Sequence, residues 1–182
     1  YLAPTNKDEY LAMLDWSLSY REHPVAIRVP VGVTLPATRP VPTDYSALNT
    51  YEVVERGKDV AILALGNFFS LGERVCRLLE AHGIRATLIN PRYISGVDCD
   101  LLDSLATDHR LVVTLEDGAL NGGFGEKIAR HFGATGVKTL CYGAKKQFAD
   151  RYAPKEFLAA NRLVDTMIVE DIMKHSQGKL ER

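Results

Sequence analysis

Two adjacent acids followed by clustered glycines, Glu116-Asp117-Gly118-Ala119-Leu120-Asn121-Gly122-Gly123-Phe124-Gly125, are the residues whose types and spacing come nearest to chemistry. Two carboxylates can share acid and base roles, and glycines let backbone amides approach a phosphate. Neither reading is complete. Gly125 is followed by Glu126-Lys127 with no hydroxyl after the lysine, so this is not a magnesium-holding phosphate loop. Gly122, Gly123 and Gly125 spell G-G-x-G and not G-x-G-x-x-G. Two acids beside free amides would repel an anion, whereas they can cap those amides themselves. On an extended chain adjacent side chains point to opposite faces, which argues against one shared proton. The loop is therefore read as structural, a joint between packed elements.

The other chemical side chains are scattered. His23, His82, His109, His131 and His175 show no H-E-x-x-H spacing, and Cys76, Cys99 and Cys141 show no C-x-x-C, so no metal site is expected. Cys141 sits in an apolar run as a small core residue, and no G-x-S-x-G marks a serine nucleophile. Arg28 closes a short apolar run before Pro30. It can reach a carboxylate or phosphate at a sheet edge, or pair with the segment that follows, and the second is the simpler expectation.

The elements that would position these residues follow from periodicity. Thr5 to Asp8 reads as a cap for a helix over 6–21 whose apolar positions are Tyr10, Leu11, Leu14 and Leu18, and Val25 to Val29 reads as a strand. Pro30, Pro36, Pro40 and Pro42 then punctuate an extended linker. Beyond it, Tyr51 to Arg56 and Val60 to Leu65 look like the two strands of a hairpin turned at Gly57-Lys58-Asp59. Helices marked by Leu71/Val75/Leu78/Leu79, by Leu101/Leu102/Leu105 and by Ile128/Ala129/Phe132 alternate with strands at Ala86 to Ile89, Leu111 to Leu115 and Val137 to Cys141. The tail is helical, with Phe157, Leu158, Ile168, Val169 and Ile172 as buried positions. Such alternation demands right-handed crossovers and predicts an α/β fold with a mostly parallel sheet covered on both faces.

Twenty-two Lys and Arg balance 23 Asp and Glu, which leaves no electrostatic footprint for nucleic acid. No apolar run approaches the length of a membrane span, and an odd number of unpatterned cysteines suits a reducing, cytoplasmic setting. The start at Tyr1-Leu2-Ala3-Pro4 suggests a piece of a longer polypeptide.

Over nearly its whole length the order of motifs resembles the transketolase-like thiamine diphosphate enzymes, closest to the 1-deoxy-D-xylulose-5-phosphate synthase branch. Pro4-Thr5-Asn6-Lys7-Asp8-Glu9 resembles the P-[ST]-[DN]-x-x-E opening the last helix of the pyrimidine-binding domain, and Pro24 to Pro30 its final strand. Asp59 to Gly66 resembles the first parallel strand of the C-terminal domain. Asn90-Pro91-Arg92-Tyr93 resembles its N-x-R-[FY] segment, and Glu116-Asp117 through Gly125 its E-[ED]-x-x-x-x-G-G-x-G signature. Tyr142-Gly143 with Phe148 is similar, imperfectly, to a G-x-P-D-x-F turn.

The resemblance implies a three-layer α/β/α domain with a mixed five-stranded sheet over 51–182. A pyrimidine-domain remnant of one helix and one strand would occupy 1–30, and a linker 31–50. It implies a parent enzyme of isoprenoid biosynthesis or a paralogue, forming carbon–carbon bonds by two- or three-carbon transfer to an aldehyde with thiamine diphosphate and Mg, as a homodimer. In such an enzyme Glu116, Asp117, Gly122, Gly123, Phe124 and Gly125 would form an interface loop against the pyrimidine-binding domain and the dimer partner, with Arg28 on the substrate side. The cofactor's G-D-G motif with its downstream Asn is absent, since Glu116-Asp117-Gly118 lacks the first glycine, so no catalytic, cofactor-binding or metal residue is expected in this chain, nor cofactor binding or turnover by it alone. Val31 stands where the family has a phosphate-recognising Arg, Ser95-Gly96-Val97-Asp98 where it often has K-P-L-D, and Lys145-Lys146 where it has P-D. These departures point toward another acceptor. A stand-alone α/β anion-binding module and the β subunit of a 2-oxo-acid dehydrogenase are the competing readings.

Overall fold

The computed structural model describes residues 1–29, 35–148 and 153–177. Val31, singled out above, lies outside them. In chain order the elements are α1 (Lys7–Ser19), β1 (Glu52–Glu55), β2 (Asp59–Ala64), α2 (Phe69–Ala81), β3 (Thr87–Asn90), α3 (Cys99–Asp108), β4 (His109–Ala119), α4 (Phe124–Phe132), β5 (Lys138–Ala144), α5 (Pro154–Ala160) and α6 (Asp165–Gln177). The sheet order is β1-β3-β2-β4-β5, with β3, β2, β4 and β5 parallel and β1 antiparallel to β3. The expected α/β class with a mixed five-stranded sheet is what the chain adopts.

Burial on both faces explains the near-continuous apolar strands. In β2, Val60, Ile62 and Ala64 pack toward α2 and α6, while Ala61 and Leu63, with Leu65 just beyond the strand, pack toward α3 and α4. Ile168, Val169 and Ile172 of α6 are buried, as their spacing predicts, and Phe157 and Leu158 are only half-buried. No helix among the described residues is long and apolar enough to cross a membrane.

Four local expectations need correction. The segments around Gly57 are no hairpin: β1 crosses to pair with β3, because Glu52↔Asn90 and Val53↔Ile89 align while β2 takes its partners from β3 and β4. Gly57 is instead wedged against the segment just before β3, where an added Cβ would clash with the Arg85 carbonyl oxygen. Val25 to Val29 forms a single bridge from Ile27 to Leu2 and no strand. The cap of α1 is shifted by one residue: Asn6 accepts from the Glu9 amide at 2.9 Å. Glu9 and Met13 are the buried residues of α1, whereas Leu11, Leu14 and Leu18 are 47%, 38% and 67% exposed.

The N-terminal segment docks on the carboxyl edge of the sheet. Leu2, Met13, Tyr45 and Tyr93 form a small core there. Ala3 N–H donates to the Arg92 carbonyl at 2.7 Å. The buried Glu9 carboxylate accepts from Thr5 N–H and Oγ1 at 2.7 Å, from Asn90 Nδ2 at 3.0 Å and from Arg92 Nε at 3.2 Å. Arg92, at φ +60, also reaches Glu52 at 2.7 Å. A buried carboxylate is tolerated only with this many donors.

Candidate functional site

The acids and glycines of the 116–125 stretch meet at the carboxyl end of β4. Pairing between β4 and β5 shifts register between Leu115 and Ala119, and such an irregularity re-aims side chains. Glu116 turns inward, 3% exposed, and its two oxygens each accept one amide: Phe124 N–H at 2.8 Å and Gly125 N–H at 2.8 Å. These amides open α4 and have no partner within the helix, so Glu116 serves as its cap from eight residues upstream of its first residue. Burial pushes the Glu116 carboxyl above the ordinary carboxylate range, against the downward pull of the Gly125 and Phe124 amides and of Arg28.

The glycines fit around that carboxylate. An added Cβ at Gly123 would sit 2.5 Å from the Ala119 carbonyl oxygen and 2.6 and 2.7 Å from the Glu116 oxygens. One at Gly125 would lie 2.6 Å from Thr114 Oγ1 and 3.0 Å from Cys141, where the helix presses on the sheet. Gly122 adopts φ +72, and its N–H donates to Glu126 Oε2 at 2.8 Å. Phe124 is 1% exposed and packs near Tyr51. The close approaches at Gly123 and Gly125 are thus made within the chain.

Asp117 points the other way, as alternation requires, and meets Arg28. The guanidinium lies 2.6 Å from Asp117 Oδ1 and donates to the Asp117 carbonyl at 2.9 Å. The expectation that Arg28 pairs with the following linker is corrected: its partner is 89 residues away in sequence. Burial raises the Asp117 carboxyl above its ordinary range, with Arg28 and the Asn67 side chain pulling it down. Together the two acids fasten the loop to α4 on one side and to the N-terminal segment on the other.

This edge does not fit thiamine diphosphate with residues of this chain alone. The cavity beside Arg28 and Asp117 is about 10 Å³, Asp117 is committed to the Arg28 guanidinium, and the adjacent Glu116 to two amides. No group of three or more His, Cys, Asp or Glu among the described residues could hold a metal.

Several positioning residues escape a linear reading. Asp98 caps α3 by accepting from Leu101 N–H at 3.0 Å and also takes the Tyr51 amide at 2.8 Å, joining the helix to the start of β1. Glu9 and Arg92 tie α1 to the loop after β3, and P-T-N-x-x-E was the signal that could have found Glu9. The Tyr142 hydroxyl donates to Asp171 at 3.0 Å, while Phe148 is fully exposed.

A family profile for "Transketolase, C-terminal domain" matches residues 49–171. Among curated relatives, 1-deoxy-D-xylulose-5-phosphate synthase of Gloeothece citriformis (strain PCC 7424) is 31% identical, the match covering 95% of this chain and 28% of that protein. The synthase of Synechococcus sp. (strain JA-2-3B'a(2-13)) is 32% identical over 98% of this chain and 28% of its own. The chain therefore spans little more than a quarter of the length of these relatives. A solved structure described as a split gene transketolase, inactive β4 tetramer, superposes with a TM-score of 0.77 at 26% identity, covering 95% of this chain and 56% of the other. Transketolase from Campylobacter jejuni shares the fold with a TM-score of 0.70 at 15% identity, over 95% and 26% of the two chains. With 123 of its 182 residues inside the matched region, the chain belongs to the transketolase C-terminal domain family.

Proposed function

We propose that this chain is the C-terminal portion of a thiamine diphosphate-dependent transferase of the transketolase type, a 1-deoxy-D-xylulose-5-phosphate synthase or a paralogue. That enzyme forms carbon–carbon bonds by moving a two- or three-carbon unit onto an aldehyde. When bound, the cofactor supplies the carbanion chemistry, and it is held with Mg by domains outside this chain. Residues 1–30 are the end of the pyrimidine-binding domain, 31–50 the linker, and 51–182 the C-terminal domain, whose task is interdomain and homodimer packing. A cytoplasmic enzyme accords with three free cysteines.

The observation that carries the reading is the double fastening at Glu116 and Asp117. Both acids are spent on holding loop, α4 and N-terminal segment together, and Gly123 and Gly125 permit the close approaches, which is what a joint needs and what a proton-transfer site does not. The outward Leu11, Leu14 and Leu18 of α1 add support, because an apolar stripe of this kind belongs against a further layer of protein.

The test is calorimetry with thiamine diphosphate and Mg, on the chain alone and on the chain co-expressed with a polypeptide carrying the diphosphate- and pyrimidine-binding domains. Binding and aldehyde-dependent product are expected only in the complex. Micromolar binding by the chain alone would contradict the reading.

A further inference from the structure

The opposite, amino edge of the sheet carries an open groove of about 1190 Å³. Strand direction brings there the end of β1, the starts of β2 to β5 and the last turn of α6. Six lining side chains are cationic, Arg56, Lys58, Arg85, Arg110, Lys138 and Lys174, against only two acids, Asp59 and Asp108. Both acids are taken: Asp59 pairs with Arg110, and Asp108 meets His109 Nδ1 at 2.6 Å. Lys174 pairs with Glu170 at 2.9 Å. Among the described residues no acid forms an ion pair with Arg56, Lys58, Arg85 or Lys138.

Position in the sheet turns these cations into a row. Arg85 precedes β3, Lys58 precedes β2, Arg110 follows the first residue of β4 and Lys138 opens β5, and these four strands are neighbours in that order. At ~4.8 Å per strand the row runs about 14 Å. Lys174 and His175 in the last turn of α6 are accounted for by its carbonyl end. Arg56, Lys58 and Lys138 lie at strand ends, where no helix dipole calls for them.

The row is also held in place. Lys58 N–H donates to the Arg85 carbonyl at 3.0 Å and Gly57 N–H to Thr87 Oγ1 at 2.9 Å, while Thr87 and His109 Nε2 lie 2.8 Å apart in the buried floor. The backbones that carry Lys58 and Arg85 are thereby held together while both side chains stay exposed, so an anion in the groove can draw on both cations. Between the cations the half-buried Ile84 and Met173 give the groove an apolar part, with the buried Val60 and Leu111 behind them.

We propose that this groove binds a small organic polyphosphate, an anion of two or more phosphate groups carried on an apolar or aromatic body. The cation row takes the phosphates and the apolar lining takes the body. The volume is close to that of small-molecule sites, roughly 300–1,000 Å³, and the lining converges from five chain segments into a concavity, which favours a compact ligand over a nucleic acid lying on an open surface.

The experiment is calorimetric titration of the 182-residue chain at about 20 mM salt, where screening is weak. Its probes are ATP, tripolyphosphate, an acidic octapeptide and a single-stranded oligonucleotide. Saturable ATP binding is expected, weaker binding of tripolyphosphate because it lacks the body, and a loss of at least about tenfold for ATP in the Lys58→Glu/Arg85→Glu variant. Lys138→Glu, at the far end of the row, should weaken ATP severalfold and keeps the test intact if the double variant does not fold. The proposal is overturned by no saturable ATP binding up to about 5 mM. It is equally overturned by unchanged affinity in the folded variants, by tripolyphosphate binding as tightly as ATP, or by displacement of ATP by the peptide or oligonucleotide at equal charge.

Discussion

The two ends of one parallel sheet have opposite electrostatic characters. At the carboxyl edge each acid near the loop has its donors, Glu116 with two amides, Asp117 with Arg28, and Glu9 with Thr5, Asn90 and Arg92, and the space left is about 10 Å³. At the amino edge six cations face two acids across about 1190 Å³. Open α/β sheets ordinarily place ligands outside the carboxyl ends of their strands. Here that end is used to join segments, and the unsatisfied charge has been left at the other.

The sharpest break of that contrast is Gly123→Val. A side chain there must displace both Ala119 O and the Glu116 carboxylate, so the cap and the packing fail together. We expect a loss of about 3 kcal/mol or more in urea unfolding. A loss below about 1 kcal/mol would show the edge to be looser than described.

Glu116→Gln comes next. The carboxamide can accept from one of the two amides but sets an NH2 against the other, for an expected cost of about 1–3 kcal/mol in the same assay. In an assembled enzyme the same change should leave turnover far above the hundredfold loss that follows removal of a general acid or base.

Arg28→Met should cost about 1 kcal/mol at neutral pH, with both partners partly exposed. The pH dependence has a definite sign. Burial holds the folded Asp117 carboxyl above its unfolded value, so its contribution is fully present below the ordinary aspartate range and is lost as pH rises through the folded value. Removing Arg28 raises that value further and deepens the loss. Wild type and variant should therefore converge in acid and separate toward neutrality, and thermal melts across pH 3 to 7 (the ordinary aspartate value being ~3.9) would show it. Smallest of all, Lys58→Glu at the open edge should change stability by no more than about 0.5 kcal/mol, because no described acid pairs with Lys58.

Much of the fold could be read from periodicity because its strands are buried on both faces and its helices carry regular apolar positions. What escaped was set by partners distant in sequence. Gly57-Lys58-Asp59 has the chemistry of a hairpin turn, yet β1 pairs with β3 because Gly57 packs on the Arg85 backbone. The stripe Leu11/Leu14/Leu18 predicts a buried face, but the inward residues are Glu9 and Met13, since Asn90 and Arg92 supply the donors that admit a carboxylate. At the loop, the acids' role as amide caps was legible for Glu116, which sits just upstream of α4. Asp117's partner was not, because Arg28 lies 89 residues away. The cation row was invisible for the same reason: a near-neutral sequence gives no hint that four separate segments bring their cations to one edge.

Glu116 holds the 116–125 loop closed by binding the first amides of α4. Hydrogen exchange of the Phe124 and Gly125 amides, resolved by NMR in wild type and Glu116→Gln, tests it directly. Strong protection in wild type that falls at least about tenfold in the variant, while Ile62 and Leu63 of β2 keep theirs, is the predicted result. Equal protection of Phe124 and Gly125 in both proteins would contradict it.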